Sequence, residues 1–356
     1  MFGGDYYRSD YSSTSFSGTS ADGVGFSVIN INNPNHPGSS PLVPDPQSKK
    51  DYAKNVDNYG LYIQDQIKLP YKIHVMGGIR YQYLHQQGLT TNLAGNITPD
   101  AALTADAVTP RVGLLWQAQD WLSLYSNYTE NFGANSGLVF PNKAAPPTSA
   151  QQWEFGAKTE FFGGRLRTTM AYFDLTKQNV ATNDPDLTHV CGGGQCSLVT
   201  GEVRSRGPEL DIQGEILPGW NVIATYANRD VRITKSNNND EGFRLWNSPR
   251  NMGSLWNTYD FQQEALRGVK IGGGVTLRDG VTDQTNTVNS PGYATVDLLA
   301  AYHVKVGKSK VTVQLNVNNL LDRDSFTTIA AVQSLNTAQG SYLTPRTFMG
   351  SIRVEY

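Results

Sequence analysis

The last eleven residues of the chain, Arg346 to Tyr356, read as a strand with two different faces. Side chains alternate between the faces of a strand, so Ile352, Val354 and Tyr356 share an apolar face and the residues between them form a polar one. A transmembrane β-barrel commonly ends in this way, because its last strand must close the wall with its apolar face toward lipid. The feature predicts a membrane barrel, and the rest of the chain repeats the pattern.

Composition bounds the class of protein. The chain has 356 residues, a net charge of −2 and 17% charged residues, so nothing indicates a nucleic-acid surface. Mean hydropathy is −0.41, and no apolar run approaches the roughly 18 residues of a membrane helix. Barrel strands alternate apolar and polar residues, so a barrel is compatible with this low average. The 35 glycines and 18 tyrosines suit many strand turns and girdles of aromatic residues.

The first residues, Met1 to Asp5, have neither the basic nor the apolar region of a secretory signal peptide. A protein exported to the outer membrane needs such a peptide. We therefore expect the chain to be a mature or a shortened form.

The chain contains about 14 amphipathic segments that predict strands. The clearest is Lys310 to Leu320, where Val311, Val313, Leu315 and Val317 alternate with polar residues. We expect these four side chains, with Ile352 and Val354, to face outward. Gln314, Asn316 and Arg353 should face the concave side.

The gaps between these segments alternate between short and long. Short gaps hold turn residues such as Pro218-Gly219, and a slightly longer one runs from Gln262 to Gly268. The long polar gaps are Gly18 to Asp57, Gly88 to Ala107, Gly133 to Ser149, Asn183 to Leu198, Ser236 to Asn247, Val281 to Pro291 and Arg323 to Thr344. Short turns at one rim and long loops at the other are typical of an outer-membrane barrel. The pattern predicts an all-β, antiparallel meander that forms a single domain over residues 1–356.

Aromatic residues at strand ends are expected to pack in the two membrane-interface girdles. They are Tyr71, Trp116, Trp121, Trp153, Phe161, Phe162, Trp220 and Trp256. The five histidines are scattered, and neither a nucleophile elbow nor a metalloprotease motif occurs. We therefore do not expect an enzyme.

The two cysteines lie in the segment Cys191-Gly-Gly-Gly-Gln-Cys196. Two cysteines are too few for a structural zinc site. In an exported protein a short disulfide-closed loop is favoured over two free thiols. We expect this disulfide at the tip of a long loop, outside the bilayer.

Several stretches resemble the barrel of TonB-dependent siderophore receptors. They are Tyr59 to Arg80, Thr109 to Phe132, Gln152 to Val180, Gly201 to Tyr226, Asn247 to Tyr259, Gly292 to Tyr302, Asn316 to Asp322 and Thr344 to Tyr356. Each one is weak, but their order and spacing match the C-terminal part of this family over about 300 residues.

The resemblance also implies parts that are missing. Such receptors place a plug domain inside a 22-strand barrel, after a short box that binds the energy-coupling protein TonB. A barrel of that size needs well over about 500 residues, so the chain is expected to be the last two-thirds of a barrel without its plug. We expect an incompletely closed, strongly curved sheet in preference to closure of the first strand on the last.

The function implied by the resemblance is uptake of ferric siderophores across the bacterial outer membrane. The partners would be a ferric siderophore, membrane lipid and, through the missing N-terminal region, TonB. The siderophore carries the iron, so no cofactor and no metal site on the protein are expected. Without the plug, this chain alone is not expected to perform gated transport.

Ligand contacts are expected from aromatic and polar side chains of the long loops and the upper wall. The candidates are Phe132, Phe140, Phe243, Arg244, Trp246, Tyr293, Phe326 and Tyr342. Two other functions stay open. A passive porin of 14 strands would need a charged loop in its lumen, and no such charge cluster is evident. A soluble β-rich binding module would not need detergent for extraction.

Overall fold

The computed structural model describes residues 1–16, 18–20, 42–99, 102–135, 137–191, 194–332 and 337–356. Fourteen long strands form one sheet in which each pairs antiparallel with its neighbours in chain order. They are β1 (Phe2–Ser15), β2 (Lys50–Leu69), β3 (Ile73–Asn92), β4 (Leu103–Gln119), β5 (Leu122–Gly133), β6 (Thr148–Phe161), β7 (Leu166–Asn183), β8 (Ser197–Leu217), β9 (Trp220–Asn228), β10 (Asn251–Asp260), β11 (Val269–Arg278), β12 (Tyr293–Val306), β13 (Ser309–Asn318) and β14 (Thr347–Glu355). The predicted meander of about 14 strands is confirmed.

Shorter elements decorate this wall. Asp230–Lys235 pairs with β8 and Ile97–Pro99 pairs with β3. Five small hairpins lie in the long loops: Gly18–Ser20 with Leu42–Pro44, Leu138–Val139 with Lys143–Ala144, Val190–Cys191 with Gly194–Gln195, Val281–Thr282 with Asn289–Ser290, and Phe326–Val332 with Thr337–Tyr342. The helical segments of the described ranges are three 3₁₀ turns: Pro46–Ser48, Pro70–Lys72 and Glu264–Leu266. None of them has the length and apolar character to span a membrane.

The short connections fall where the turn residues predict them, all at one rim of the sheet. Between β8 and β9 only Pro218 and Gly219 intervene. Gly219 has a φ of +83°, and a Cβ there would lie 2.4 Å from the carbonyl oxygen of Asp260. Glycine is therefore required at this turn by both conformation and space.

The strands extend further into the long-loop rim than the sequence predicts. β2 begins at Lys50, inside the predicted gap of Gly18 to Asp57, and β3 ends at Asn92. The sequence did not predict these extensions because their side chains are polar. Beyond the bilayer both faces of a strand meet water, so the alternation of apolar and polar residues disappears. Residues 21–41 of that gap lie outside the described part of the chain.

The two faces of the sheet have the inverse polarity of a soluble protein. On β2, Leu61 and Ile63 are 65% and 58% exposed. The other face carries ion pairs and hydrogen bonds: Arg80 Nη1 lies 2.7 Å from Asp5 Oδ1, and Tyr125 Oη donates to Glu154 Oε1 at 2.6 Å. Apolar side chains that the fold leaves exposed across 14 strands are suited to lipid contact.

The predicted separation of faces holds at the C-terminal strands. In the β13–β14 pair, Val313 lies opposite Ile352 and Val311 opposite Val354, whereas Gln314 lies opposite Ser351. One residue departs from the pattern, since Met349 lies opposite Asn316 on the polar face.

Aromatic residues lie near both limits of the apolar face. Near the short-turn rim the rings of Trp121 and Phe161 stack at 5.7 Å, and further up the wall Tyr128 and Trp153 lie 4.7 Å apart. The girdle prediction is wrong for Trp256. Trp220 pairs with Tyr259 and therefore shares its face of the sheet. Trp256 lies three residues before Tyr259 on the same strand, so strand alternation places it on the opposite face.

The sheet is open. Among the described residues no pairing joins β1 to β14, so each leaves one backbone edge without a strand partner. This agrees with the predicted incompletely closed sheet.

Candidate functional site

The eight predicted ligand residues all lie at or near the long-loop rim but do not form one cluster. Phe132 is half-buried at the upper end of β5, and Tyr293 is the first residue of β12. Tyr293 lines a cavity of about 650 Å³ together with Arg278, Asp279 and Arg323. The other six candidates belong to three different loops.

Phe140 belongs to a clasp between two loops, which we call the 140–189 clasp. Its ring stacks on the imidazole of His189 with centroids 4.1 Å apart. His189 Nδ1 lies 2.8 Å from Asp184 Oδ2, and Nε2 lies 3.4 Å from Asp186 Oδ2. The histidine is therefore held by two carboxylates on its own loop and one ring from its neighbour.

The two cysteines close the loop that carries His189. Their sulfur atoms are 2.04 Å apart, and the backbone N–H of Cys196 donates to the carbonyl oxygen of His189. Both cysteines are buried. A ring this small contributes about 2 kcal/mol by the chain-entropy model, so its main effect is to fix the shape of the loop.

The contacts of His189 determine how the stability of the 140–189 clasp changes with pH. The hydrogen bond with Asp184 raises the pKa of His189, and burial only partly opposes this. A histidine with a raised folded pKa stabilises the loop below its unfolded pKa of about 6.5, and the contribution is lost as pH rises through the folded value. The bond with His189 lowers the pKa of Asp184. The stabilisation that ionised Asp184 gives the loop is therefore lost only in acid, as pH falls through the folded pKa of Asp184.

We expect the clasp to be tightest between about pH 4 and 6.5 and to loosen above that range. Hydrogen exchange of residues 184–196, corrected for intrinsic rates, should show protection that falls toward pH 8. His189→Gln should abolish this fall in protection with pH. His303→Gln, which changes a histidine in the wall, should leave the fall unchanged. Equal protection at pH 6 and 8 in the wild type would contradict the clasp.

Three other loops share a small core of their own, formed by residues 229–250, 279–292 and the described parts of 319–346, namely 319–332 and 337–346. Asn247 joins them: its backbone N–H donates to Thr282 O at 3.0 Å, its Nδ2 to Ile329 O at 3.0 Å, and its Oδ1 accepts from Ile329 N at 2.8 Å. Arg244 and Asn286 exchange two further bonds at 3.0 Å. We call this assembly the three-loop core.

Asp283 lies in the 279–292 loop of the three-loop core and is fully buried. Its Oδ1 accepts from the backbone N–H groups of Thr287 and Val288 at 3.0 and 3.1 Å, and its Oδ2 accepts from Thr285 Oγ1 at 2.6 Å. Burial alone raises the pKa of Asp283, but these bonds outweigh it and lower the pKa. Asp283 therefore remains ionised and holds the loop backbone.

Five of the predicted ligand residues belong to these loops. Phe243 and Arg244 are half-buried and Trp246 is exposed. Arg244 contributes its backbone to the core, and its Nη2 lies 3.4 Å from Ser248 O. Phe326 and Tyr342 lie opposite each other in a hairpin, with rings 4.5 Å apart. Loop packing accounts for these contacts, and any ligand role stays a prediction.

The structure also reveals a polar cavity that the sequence did not predict. It has a volume of about 730 Å³ and lies between the upper parts of β2 and β3 and the loop residues Asn135 and 137–144. The sequence feature that could have indicated it is the alternation of Lys50, Tyr52 and Lys54, which fits a strand but lies in a segment predicted to be a loop. Among the described residues no group of three or more His, Cys, Asp or Glu could hold a metal ion.

Comparisons with known proteins agree with this architecture. The family described as TonB dependent receptor-like, beta-barrel matches residues 1–320. The metal-pseudopaline receptor CntO of Pseudomonas aeruginosa is 35% identical over 274 residues, 76% of this chain and 37% of the relative. The ferrioxamine B receptor of Salmonella typhimurium is 29% identical over 279 residues, 78% of this chain and 38% of the relative.

Among solved structures, the siderophore receptor PiuA of Acinetobacter baumannii matches with a TM-score of 0.75 and 24% identity. The match covers 99% of this chain and 52% of that one. It supports the fold. The chain thus spans well under half the length of the two curated relatives and about half of this structure.

Proposed function

Because the chain belongs to the TonB-dependent receptor β-barrel family, we propose that it forms part of the wall of a receptor that takes up metal chelates, ferric siderophores in particular. Its location is the bacterial outer membrane. The family is one of receptors, and we propose that the chain has no enzymatic activity of its own.

The observation that carries the proposal is the family match over residues 1–320, which hold 13 of the 14 strands of a wall with an apolar face and a polar face. The names of relatives support the ligand class, since they are receptors for metal-pseudopaline, ferrioxamine B and ferripyoverdine. In this proposal the small molecule carries the metal, the protein needs no cofactor, and TonB is the partner that supplies energy.

The family match also favours this proposal over the two alternatives. A 14-strand porin would have the same inverse polarity but not the sequence similarity to receptors. A soluble module would not leave apolar side chains such as Leu61 and Ile63 exposed on the outer face of its strands.

Binding of ferric chelates to the purified chain in detergent tests the proposal. Ferric siderophores of several chemical classes should quench tryptophan fluorescence at saturable, micromolar concentrations. The same compounds without iron should bind more weakly, because iron organises the chelate into one rigid shape. Failure of every ferric chelate to bind to a chain whose β-sheet content is intact contradicts the proposal.

A further inference from the structure

The polar cavity beside β2 is lined by positive charge. Two lysines line it, Lys50 and Lys54, and no aspartate or glutamate is among its lining residues in the described part of the chain. Its other polar walls come from neutral side chains, namely Gln86, Gln87, Thr90, Asn92, Asn96, Thr98, Asn135 and Asn142. The cavity is therefore cationic and rich in hydrogen-bonding groups.

The two lysines lie on the same face of one strand. Residues at even positions of β2 share the polar face, because Leu61, Ile63, Ile67 and Leu69 occupy the apolar one. Lys50 and Lys54 are four residues apart, so their Cα atoms are about 13 Å apart along the wall. Within the described ranges neither lysine forms an ion pair, whereas the adjacent Lys49 lies 2.9 Å from Asp51. Both ammonium groups are available to an incoming anion.

The walls of the cavity are fixed before any ligand arrives. On the loop side, Asn135 is buried and its Nδ2 donates to Asn179 O at 2.6 Å and to Pro146 O at 3.2 Å. On the strand side, Asn92 Oδ1 accepts from the backbone N–H of Asn96 at 2.9 Å. A preformed cavity avoids the cost of ordering loops on binding, and about 730 Å³ is within the range of small-molecule sites.

We propose that this cavity is a binding subsite for the carboxylate-bearing, anionic part of a metal chelate, with Lys50 and Lys54 as its charged contacts. The inference rests on the proposed function, and it narrows the ligand from metal chelates in general to anionic ones. Ammonium groups bind carboxylates through charge-assisted hydrogen bonds, and side-chain amides of the lining such as Gln86 and Gln87 offer donors to the remaining oxygens. Tyr52 and Leu138 offer apolar contact to the carbon skeleton.

The test compares two ferric chelates of opposite charge on the full chain in detergent. Ferric citrate is the anionic carboxylate probe, and ferrioxamine B is the cationic hydroxamate probe. The wild type should bind ferric citrate more tightly, with an affinity that falls as salt is added. The double variant Lys50→Gln, Lys54→Gln should bind ferric citrate roughly thirtyfold more weakly and lose most of the salt dependence.

Two controls separate charge from folding. Lys68→Gln removes a lysine on the same face of β2 outside the cavity, and it should bind ferric citrate as the wild type does. The double variant Lys50→Arg, Lys54→Arg keeps both charges and should retain most of the affinity for ferric citrate. If the lysines acted only by holding the local structure, this variant should lose affinity as the double glutamine variant does.

The outcomes distinguish this subsite from the proposed function. Equal affinity of the wild type and the double glutamine variant for ferric citrate overturns the subsite, and so does binding of ferrioxamine B alone. In both cases the receptor function stands. Lysine-dependent binding of citrate without iron, together with no binding of either ferric chelate, supports the anion subsite and overturns the receptor function. No binding of any probe overturns both.

Discussion

Leu315→Arg is expected to destabilise the protein in a bilayer by about 2–4 kcal/mol, the cost of arginine on the lipid face near the midplane of a barrel. Leu315 is 48% exposed and lies in the middle of the apolar run of β13. Gln314→Arg, one residue away on the other face, should cost less than about 1 kcal/mol because that face meets water. The measurement is equilibrium unfolding in denaturant with lipid vesicles present.

Comparing Leu315→Arg with Gln314→Arg is informative because Leu315→Arg should be costly only if the apolar face contacts lipid. If the apolar face met water, Leu315→Arg would be nearly neutral, since surface substitutions usually change stability by less than about 0.5 kcal/mol. Neutral behaviour of Leu315→Arg in lipid would therefore refute the membrane orientation of this sheet. Leu315→Met controls for the change of side-chain shape.

Most of the wall could be predicted because its signal is local. Val311, Val313, Leu315 and Val317 alternate with polar residues, and all but one of the short turns carry glycine or proline, the exception being Asp120-Trp121 between β4 and β5. Strand alternation and turn chemistry act over a few residues, so the sequence displays them directly. Trp256 shows the limit, because residue type suggested a girdle position but the pairing of Trp220 with Tyr259 decided its face.

The candidate site was less predictable because it is assembled from distant segments. The register pairs Lys50 with Asn92, and the cavity wall opposite them comes from Asn135 and residues 137–144. Nothing in the residue pattern near Lys50 indicates these neighbours. In the same way, the fully buried Asp283 looks like an ordinary loop aspartate in the sequence, and only its contacts show its structural role.

Asp283→Ala is expected to release the three-loop core. The substitution leaves the N–H groups of Thr287 and Val288 without their acceptor, and it removes one of the two partners of the Thr285 hydroxyl. Bonds to a charged group contribute about 1.5–3 kcal/mol each, so the local loss is roughly 3–5 kcal/mol, because the loop relaxes and water reaches part of the site. Hydrogen exchange in residues 279–292 should accelerate by at least a hundredfold.

The effect should spread along the contacts of Asn247 and Asn286, because these residues connect the loop of Asp283 to Ile329 and Arg244. Residues 244–248 and 326–332 should therefore lose protection as well, while wall strands such as β8 keep theirs. Asp283→Asn retains an acceptor for the two N–H groups and should give a smaller change. Asp324→Ala, an exposed carboxylate on a neighbouring loop, should give none. Exchange that accelerates only within residues 279–292 would show that the three loops are independent and would contradict a shared core.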